Sequence, residues 1–559
     1  MSQASRWVRV ARRAGVVAAI GTGLVVWAVL VAPEDAVGKP LDWLLRLPLE
    51  PVLVVAVVLV LPARWRDAAA LLGGAVLAML TIVKILDLGF TSALSRPFNV
   101  VTDWTYLRDA SGLVHDSAGG AVGTTAVVGA VLLVLAVLGG VPWSARLGVR
   151  HLGPSLDRHR RGWTVALVAL TTGWLVAAVA HVQVGPGLPL AATPSVGLVA
   201  DHVGQVRAAV RDRAVFAQTI AHDPFATTPP GDLVSGLRGK DVLIVFVEAY
   251  GEVAVTGTPE SAAVSSTLDQ GTAQLRAAGY TSRSAWLDSP TFGGISWLAH
   301  STLQAGVWVD SQQRYDQLVG TDRLTLSAAF RRAGWRTVGD SPADRGDWPQ
   351  GRSFYRYDQL YDATNVGYAG PAFGYAPMPD QYTLKAFADR ELSSGSRRPV
   401  MAEIDLVTSH LPWAPLPTMV DWSSVGDGRV FGTIEAHART KAQAWSDSPS
   451  LRAAYGQSIS YSLESLVSFV RSVHDDNLVL VVLGDHQPAT VVSGPGASHR
   501  VPITLVAHDP AVTQRVGGWG WQDGLRPGQG APTWRMDAFR DRFLTAFSAP
   551  ATTAVRLDH

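Results

Sequence analysis

The sequence predicts two structural parts: an α-helical membrane domain with five transmembrane helices, and an α/β domain whose mostly parallel sheet is flanked by helices. The chain has 559 residues, which exceeds the length of one average domain. Its mean hydropathy is +0.17 and 17% of its residues are charged, a combination typical of a membrane part joined to a soluble part. Long apolar segments lie within residues 1–190, and ordinary polarity begins near residue 235.

Five segments are long and apolar enough to cross a bilayer, for which about 20 residues are needed. They are Ala14–Ala32, Leu47–Ala63, Ala68–Leu88, Gly119–Val141 and Gly162–Val182. The second has the shortest uncharged core, from Pro51 to Ala63. We therefore predict a five-span transmembrane domain over residues 1–190.

The placement of arginine predicts the orientation of these helices. Three groups flank the spans: Arg6, Arg9, Arg12 and Arg13; Arg64 and Arg66; and Arg146, Arg150, Arg158, Arg160 and Arg161. Because arginine-rich loops stay in the cytoplasm, we expect a multi-pass membrane protein with a cytoplasmic N-terminus and everything after residue 185 outside. A cleaved signal peptide is the alternative for the first span, but no small-residue cleavage site followed by a polar segment is evident.

The composition narrows the class of protein further. A formal net charge of +1 gives no reason to expect a nucleic-acid partner. The absence of cysteine excludes disulfides, thiolate metal sites and a cysteine nucleophile. Only five of the 47 basic residues are lysine, which is typical of a GC-rich bacterial genome, so we expect the membrane to be the bacterial plasma membrane.

Residues 191–240 are predicted to form a linker that is partly an amphipathic helix, Val199–Ile220, able to lie on the membrane surface or to pack against the soluble domain. The α/β domain follows over residues 241–550. Strand-like runs (242–247, 336–339, 400–406, 478–483, 502–507) alternate there with helical patterns (about 259–279, 295–306, 322–334, 451–474, 534–547). In such sheets, ligands bind at the carboxyl ends of the strands.

Two of the apolar runs end in residues that can bind a metal. Glu248 follows the run from Asp241, and Asp485-His486 follow the run from Asn477. A carboxylate and an imidazole after Gly484, which permits close backbone approach, suit a divalent ion such as Zn²⁺ or Mn²⁺. The alternatives are that Glu248 only caps a helix and that the Asp-His pair is a satisfied turn.

A third element is the segment Ser289-Pro-Thr-Phe-Gly-Gly-Ile-Ser-Trp-Leu-Ala-His300. The Thr291 hydroxyl is a poor nucleophile at its ordinary pKa, and coordination to a metal is one way to activate it. Gly293-Gly294 leave room for phosphate oxygens near backbone N–H groups. The alternative is an ordinary Gly-rich helix start, with Ser289 or Thr291 as its N-cap.

Taken together, these residues resemble a known family. Val-Glu-Ala-Tyr-Gly at 247–251, the segment at 289–300 and Gly-Asp-His-Gln-Pro at 484–488 are similar to the membrane-anchored, sulfatase-like branch of the alkaline phosphatase superfamily. That branch contains lipoteichoic acid synthases, phosphoglycerol transferases and phosphoethanolamine transferases. The resemblance covers about residues 240–510 and implies an alkaline-phosphatase-like domain, and the five-span layout is similar to that of the synthases.

The resemblance also implies a set of site residues. One divalent ion, Mn²⁺ or Zn²⁺, is expected on four ligands: Glu248, Thr291, Asp485 and His486. Thr291 is expected to form a phosphothreonine intermediate before the group passes to an acceptor alcohol. His410 matches a pocket histidine that contacts the phosphoryl group, and His499 resembles another that could protonate the leaving alkoxide.

The substrate-binding part of the family pattern is only partly present. The synthases clasp glycerol phosphate with a Trp-x-Arg element, and the nearest candidate here is Trp348-Pro-Gln-Gly-Arg352, with wider spacing. Arg352 could clamp a phosphate with two hydrogen bonds or form a surface salt bridge. His300 is expected to pack against the sheet or to hydrogen bond to it.

The expected activity is metal-dependent transfer of glycerol phosphate or ethanolamine phosphate from a membrane phospholipid to a glycan or lipid of the envelope. Hydrolysis of a phosphoester by an extracytoplasmic phosphodiesterase or phosphatase stays open. A catalytically silent membrane scaffold is disfavoured because the chain contains all four residues that are expected to bind the metal. Sulfatase activity is disfavoured as well, since the Ser-Pro-Thr turn lacks both a cysteine and the Pro-x-Arg arrangement that formylglycine sulfatases use.

Overall fold

The structure is a computed structural model, and it describes residues 3–33, 41–106, 120–395 and 397–549. The chain divides into two compact units. The first comprises residues 1–92 and 96–210, and the second comprises residues 211–559 together with 93–95. Gly119, the predicted start of the fourth membrane span, and residue 550, the predicted end of the α/β domain, lie outside the described residues.

The part of the chain before residue 222 is mainly helical. Its helices include α1 (Gln3–Val31), α2 (Glu50–Val60), α3 (Ala63–Leu94), α4 (Gly120–Arg158), α5 (Arg160–Val179) and α6 (Pro194–Ala221). A 3-10 turn covers Leu41–Leu45. Leu47–Pro48 pairs in parallel with Ala191–Ala192, and Gln183–Gly185 pairs with Leu188–Pro189. The amphipathic stretch predicted for the linker lies within α6.

Three helices in the described part of the chain are long and apolar enough to cross a membrane: Ala63–Leu94, Gly123–Arg158 and Arg160–Val179. The apolar helical stretch Val16–Val31 is shorter. The predicted second span is the 11-residue helix α2, which at 1.5 Å per residue extends about 16 Å against a hydrocarbon core of about 30 Å. The five-span topology is therefore not confirmed.

The reason for the shortness of α2 is local. Leu61 precedes Pro62, and a proline disfavours the helical conformation of the residue before it. Leu61 accordingly has φ −74° and ψ 138°, so that α2 ends at Val60. The predicted segment shortens at its other end as well, because Leu47–Pro48 pairs with Ala191–Ala192 and Leu49 is the N-cap of α2.

Ion pairs join α3 and α4 near the ends that carry the predicted cytoplasmic arginines. Arg66 on α3 donates two hydrogen bonds of 2.8 Å to Asp157 on α4. Arg146 and Arg150 on α4 both bind Asp67 on α3. Arginines from two of the three predicted groups thus lie at one end of this helix pair, whereas the side of the membrane that they face stays a prediction.

The second unit contains a nine-stranded mixed sheet. Its strands are β1 (Asp241–Val247), β2 (Thr281–Asp288), β3 (Arg336–Asp340), β4 (Gln359–Tyr361), β5 (Val400–Leu406), β6 (Leu478–Gly484), β7 (Arg500–Ala507), β8 (Gln522–Asp523) and β9 (Thr533–Arg535). The strand order is β8-β2-β7-β6-β1-β5-β3-β4, with β9 also paired to β2. Five of the eight pairings are parallel, including all those within β6-β1-β5-β3-β4.

Helices and short turns surround this sheet. The helices are α7 (Glu252–Val255), α8 (Ser261–Ala277), α9 (Ser296–Ala305), α10 (Gln312–Val319), α11 (Leu326–Arg332), α12 (Pro349–Ser353), α13 (Asp380–Phe387), α14 (Phe431–His437), α15 (Lys441–Ala444), α16 (Ser448–Val473), α17 (Thr490–Ser493), α18 (Pro510–Arg515) and α19 (Ala538–Phe547). Ser235–Leu237, Trp422–Ser424 and Gly517–Trp519 are 3-10 turns, and Ala388–Leu392 is π-helical.

Both faces of the sheet are covered, because the side chains of β1 alternate between two cores. Val245 and its neighbours on one face pack with residues of α8 and α16, such as Leu268 and Leu463. Ile244 and Phe246 on the other face pack with α9, α11 and α19. A parallel strand buried on both faces reads as a continuous apolar run, and this is the pattern that predicts β1 and β6.

The end of β6 is packed tightly against the loop after β1. A Cβ added at Gly484 would lie 1.8 Å from the carbonyl oxygen of Tyr250. We expect Gly484→Ala to lower the free energy of unfolding by about 3 kcal/mol or more, since two backbone segments must separate. Gly432→Ala on α14 is the matched control, because nothing lies within 4 Å of its Cβ position. Denaturant titration measures both, and equal stability of the two variants would contradict the prediction.

Candidate active site

Glu248, Asp485 and His486 come together at the carboxyl ends of β1 and β6. These strands are parallel neighbours in which Val247 pairs with Gly484, so the residues that follow them lie side by side. His486 Nε2 is 3.3 Å from Glu248 Oε1 and 3.4 Å from Asp485 Oδ2. The three side chains could hold a metal ion, with one ligand atom of each lying within 4.8 Å of the others.

The donor set fits a divalent ion. Zinc bonds to imidazole nitrogen and carboxylate oxygen are about 2.0–2.2 Å long, which places neighbouring ligands of a tetrahedral site ~3.4 Å apart. Asp485 Oδ1 accepts hydrogen bonds from the N–H groups of Ala249 (2.8 Å) and His486 (2.7 Å). Asp485 Oδ2 is buried and has no hydrogen-bond partner among the residues that the structure describes. A buried carboxylate oxygen without a donor is costly, and a cation at this position would satisfy it.

His486 is oriented for coordination through Nε2. Its Nδ1 lies 2.8 Å from the carbonyl oxygen of Gln487. A carbonyl can only accept, so Nδ1 carries the proton and Nε2 carries the lone pair in the neutral ring. Such a hydrogen bond fixes the orientation of a metal-binding imidazole and raises its basicity.

The three groups perturb one another electrostatically. Burial alone would raise the pKa of Glu248, but the charge of His486 and its hydrogen bond outweigh burial and hold this pKa well below its usual range. Burial and the charge of Glu248 raise the pKa of Asp485 to about 6. Burial lowers the pKa of His486, but Asp485 and Glu248 raise it to about 9. Without a metal, a proton on His486 therefore balances part of the carboxylate charge.

Thr291 is attached to this cluster through its own turn. The Ser289 hydroxyl donates to the carbonyl oxygen of Asp485 (2.5 Å) and accepts from the backbone N–H of Thr291 (3.3 Å). The N–H of Gly293 donates to the carbonyl oxygen of Gln487 (2.9 Å). These bonds fix the Thr291 turn to the segment that supplies two of the predicted ligands.

The Thr291 hydroxyl itself donates to the carbonyl oxygen of Gly294 (2.5 Å). Its role as fourth ligand stays a prediction, and it requires the hydroxyl to leave that carbonyl. The alternative of an ordinary N-cap is wrong, because α9 begins at Ser296 and Ile295 occupies the N-cap position without a side-chain bond.

Ser296 is a site residue that the sequence did not predict. Its hydroxyl donates to Glu248 Oε2 (3.0 Å) and lies 3.2 Å from His486 Nε2. Gly293 (φ +72°) and Ile295 (φ +66°) adopt left-handed conformations that bring it there. This conformation is costly for a β-branched residue. The available signal was a serine in the first turn of a helix directly after Gly-Gly-Ile.

We expect Ser296→Ala to weaken metal binding by about 10-fold, because loss of a hydrogen bond to a ligand typically costs 10- to 100-fold in metal affinity. Competition with a chromophoric chelator measures the affinity. Ser301→Ala is the control, since Ser301 lies on the same helix and its hydroxyl bonds to Leu298 and Tyr355 rather than to Glu248 or His486. An affinity within twofold of wild type for Ser296→Ala would exclude this role.

The two predicted histidines lie near the cluster in different surroundings. His410 stacks on Tyr375 with ring centroids 3.7 Å apart, and its neighbour Ser409 donates to the carbonyl oxygen of Glu248 (2.6 Å). Burial lowers the pKa of His410, and its Nδ1 lies 2.6 Å from the carbonyl oxygen of Leu411, so the neutral ring carries its lone pair on Nε2. His499 is exposed, and its Nδ1 lies 3.2 Å from the carbonyl oxygen of Ser289.

The predicted substrate-binding pair lies on and beside α12. Trp348 is half-buried and packs against Tyr355 and Tyr357, with ring centroids 5.2 Å and 6.0 Å away. Arg352 is exposed. The structure therefore gives Trp348 a packing role, and substrate binding by both residues stays a prediction.

The mixed sheet with helices on both faces agrees with the α/β domain that the sequence predicts. No protein-family model and no curated protein match the chain. Solved structures do match. The lipoteichoic acid synthase LtaP from Listeria monocytogenes is 14% identical, covers 56% of this chain and 74% of its own, and has a TM-score of 0.35.

Two further matches are of the same kind. The Streptococcus pyogenes phosphoglycerol transferase GacH, in complex with sn-glycerol-1-phosphate, is 13% identical over 54% of this chain and 74% of its own (TM-score 0.33). The soluble domain of lipooligosaccharide phosphoethanolamine transferase A from Neisseria meningitidis is 14% identical over 56% and 89% (TM-score 0.36).

Proposed function

We propose that this protein is a membrane-anchored, metal-dependent transferase that moves a phosphorylated headgroup, glycerol phosphate or ethanolamine phosphate, from a phospholipid to a hydroxyl of an envelope glycan or lipid. One observation carries the proposal. Glu248, Asp485 and His486 converge with an unpartnered carboxylate oxygen between them, and Ser289 ties the Thr291 turn to this cluster.

The reaction requires two displacements at phosphorus. The Thr291 hydroxyl gives up its proton to water as its oxygen forms a bond to the phosphorus of the donor lipid, and the bond to the diacylglycerol oxygen breaks. The oxygen of the acceptor then attacks the phosphothreonine, and the Thr291 oxygen leaves and regains a proton from water. A divalent ion held by Glu248, Asp485 and His486 would supply positive charge to the phosphoryl oxygens and lower the pKa of the attacking hydroxyl.

Protons are handled by groups of this chain. His499 lies beside the Thr291 turn and is exposed, so it can deliver a proton to the departing diacylglycerol oxygen. The neutral His410 ring presents a basic Nε2, which can take the proton of the attacking acceptor hydroxyl. The N–H groups of the Gly293-Gly294 turn can receive phosphate oxygens.

The donor is proposed to be a membrane lipid because apolar helices precede the catalytic domain in the same chain. Attachment to the bilayer keeps the site close to its donor and thereby raises the effective concentration of the lipid. We propose that this domain faces the outside of the plasma membrane, where envelope glycans and lipids can accept the headgroup.

The test uses the full-length protein with Mn²⁺ or Zn²⁺ and vesicles of phosphatidylglycerol or phosphatidylethanolamine. Release of diacylglycerol from one of the two lipids, with the headgroup recovered on an added acceptor alcohol, would support transfer. Recovery of the headgroup only as a free phosphate monoester would identify a phosphodiesterase instead. No diacylglycerol from either lipid with either metal would refute the proposal.

A further inference from the structure

A second cluster of metal-binding side chains lies one turn further along α9. His300 follows Ser296 by four residues, which places both on the same face of the helix. Its Nδ1 lies 3.3 Å from Glu403 Oε1 and 3.7 Å from Asp405 Oδ1. Glu403 and Asp405 alternate on β5 and therefore project from the same face of the sheet. In the described part of the chain, this cluster and the one at Glu248 are the two His and carboxylate groups able to hold an ion.

The spacing of these atoms is close to that of the first cluster. There the corresponding separations are 3.3 and 3.4 Å, and tetrahedral coordination requires ~3.4 Å. His300 is fixed in place by stacking on Phe246, with ring centroids 3.8 Å apart. The ring can therefore keep its Nδ1 directed at the two carboxylates.

The second carboxylate oxygen of Glu403 is fully engaged elsewhere. Gln304 and the Tyr357 hydroxyl both donate to Oε2, the latter at 2.9 Å. These bonds leave Oε1 directed toward His300. Among the described residues, Asp405 Oδ1 is a buried atom without a hydrogen-bond partner, and its nearest cationic group is His300 at 3.7 Å. The cluster thus repeats the feature that marks Asp485 in the first site, a buried carboxylate oxygen that faces an imidazole at more than hydrogen-bond distance.

The charges also favour a divalent ion. A protonated His300 beside two ionised carboxylates leaves one uncompensated negative charge in a buried place, which is costly. A divalent ion with neutral His300 and both carboxylates ionised is neutral overall, so its binding would remove this cost.

We propose that His300, Glu403 and Asp405 form a second divalent-cation site, separate from the first, for an ion of the Zn²⁺ or Mn²⁺ type. One nitrogen and two oxygens suit these ions. The two sites share no ligand, so each ion binds on its own residues. The second ion joins α9 to β5 and thereby holds Ser296, on the same helix face, toward Glu248.

The second site does not depend on the transferase activity. A metal site and a fixed ion pair among the same three side chains differ in a measurable quantity, the number of metal ions bound per chain. Full-length protein is dialysed against Zn²⁺ or Mn²⁺ and then metal-free buffer, and ions per chain are counted by elemental analysis. We expect two ions per chain in the wild-type protein and one ion per chain in each of the variants Asp405→Asn, His300→Ala and Asp485→Asn. The control is His437→Ala, which replaces an exposed histidine on α14 and should still bind two ions.

The outcomes separate the two sites. One ion in wild type that Asp485→Asn removes and Asp405→Asn retains would overturn the second site and leave the proposed function intact. No ion in wild type would overturn both. Asp405→Asn is nearly isosteric, and circular dichroism spectra of the variants show whether a lost ion reflects lost folding. An unfolded Asp405→Asn would be replaced by Glu403→Gln, which preserves the bonds at Oε2 and is expected to bind one ion.

Discussion

Replacing Thr291 with alanine is expected to lower the rate of diacylglycerol release by about 10⁴-fold or more. Loss of a catalytic nucleophile typically has an effect of this size, because the residual rate comes only from binding and electrostatic stabilisation. The fold should persist, since the backbone N–H of residue 291 keeps its bond to Ser289 and Ala lacks only one methyl group and the hydroxyl that donates to Gly294.

Thr291→Ser is the matched control for this variant. It keeps a hydroxyl at the same position and should retain a substantial part of the rate, whereas a purely structural role would make the two variants similar. Initial rates with phospholipid vesicles, measured at saturating metal, decide the matter. A rate for Thr291→Ala above a tenth of wild type would show that another group attacks phosphorus.

Asp485→Asn and Glu248→Gln are both expected to abolish high-affinity metal binding at the first site. The two variants are expected to change the stability of the metal-free protein in opposite directions. Each variant removes a charged ligand, so the loss in affinity should exceed the 10- to 100-fold that an outer hydrogen-bond partner typically contributes. Diacylglycerol release should fall with it. The difference between the variants comes from the pKa shifts of the two carboxyls.

The pKa of Asp485 is raised to about 6 in the folded protein, compared with about 3.9 for an ordinary aspartate. Above the ordinary pKa, the unfolded chain ionises this carboxyl more readily than the folded protein does, so the ionised carboxyl lowers the stability of the fold. A neutral amide removes this cost, and its oxygen can still accept from Ala249 and His486. The pKa of Glu248 is depressed, so its charge stabilises the fold above its ordinary pKa, and this contribution is lost as pH falls.

At pH 7 without metal, Asp485→Asn should therefore be at least as stable as wild type, and Glu248→Gln should be less stable by about 1 kcal/mol or more. Chemical unfolding of the full-length protein in the presence of a chelator measures both. The interpretation of the site would be wrong if both variants lost stability equally, or if Asp485→Asn kept its first-site ion.

Elements buried on both faces were predictable from the sequence. β1 and β6 are continuous apolar runs, and the residues that follow them come together in the cluster that the pattern indicates. β2 was not predicted, because Thr281-Ser-Arg-Ser begins with polar side chains and only its second half is buried. α2 was predicted too long because hydropathy registers neither the strand at Leu47–Pro48 nor the break that Pro62 imposes.

The site was only partly predictable for a related reason. Adjacent residues such as Asp485 and His486 are visible as a motif, whereas His300 and Glu403 are about a hundred residues apart and meet only when α9 packs on β5. A signal was nevertheless present, since Glu403 and Asp405 are two carboxylates inside an apolar strand. Such residues need a buried partner.

Covalent attachment of the headgroup to Thr291 tests the central claim most directly. Full-length protein is incubated with the donor lipid and Mn²⁺ or Zn²⁺, quenched in acid and digested with trypsin. Trypsin releases residues 284–314 as one peptide because no lysine or arginine lies between Arg283 and Arg314. Tandem mass spectrometry should locate glycerol phosphate or ethanolamine phosphate on Thr291. Diacylglycerol release without any adduct, or with the adduct on Ser289 or Ser296 instead, would contradict the account.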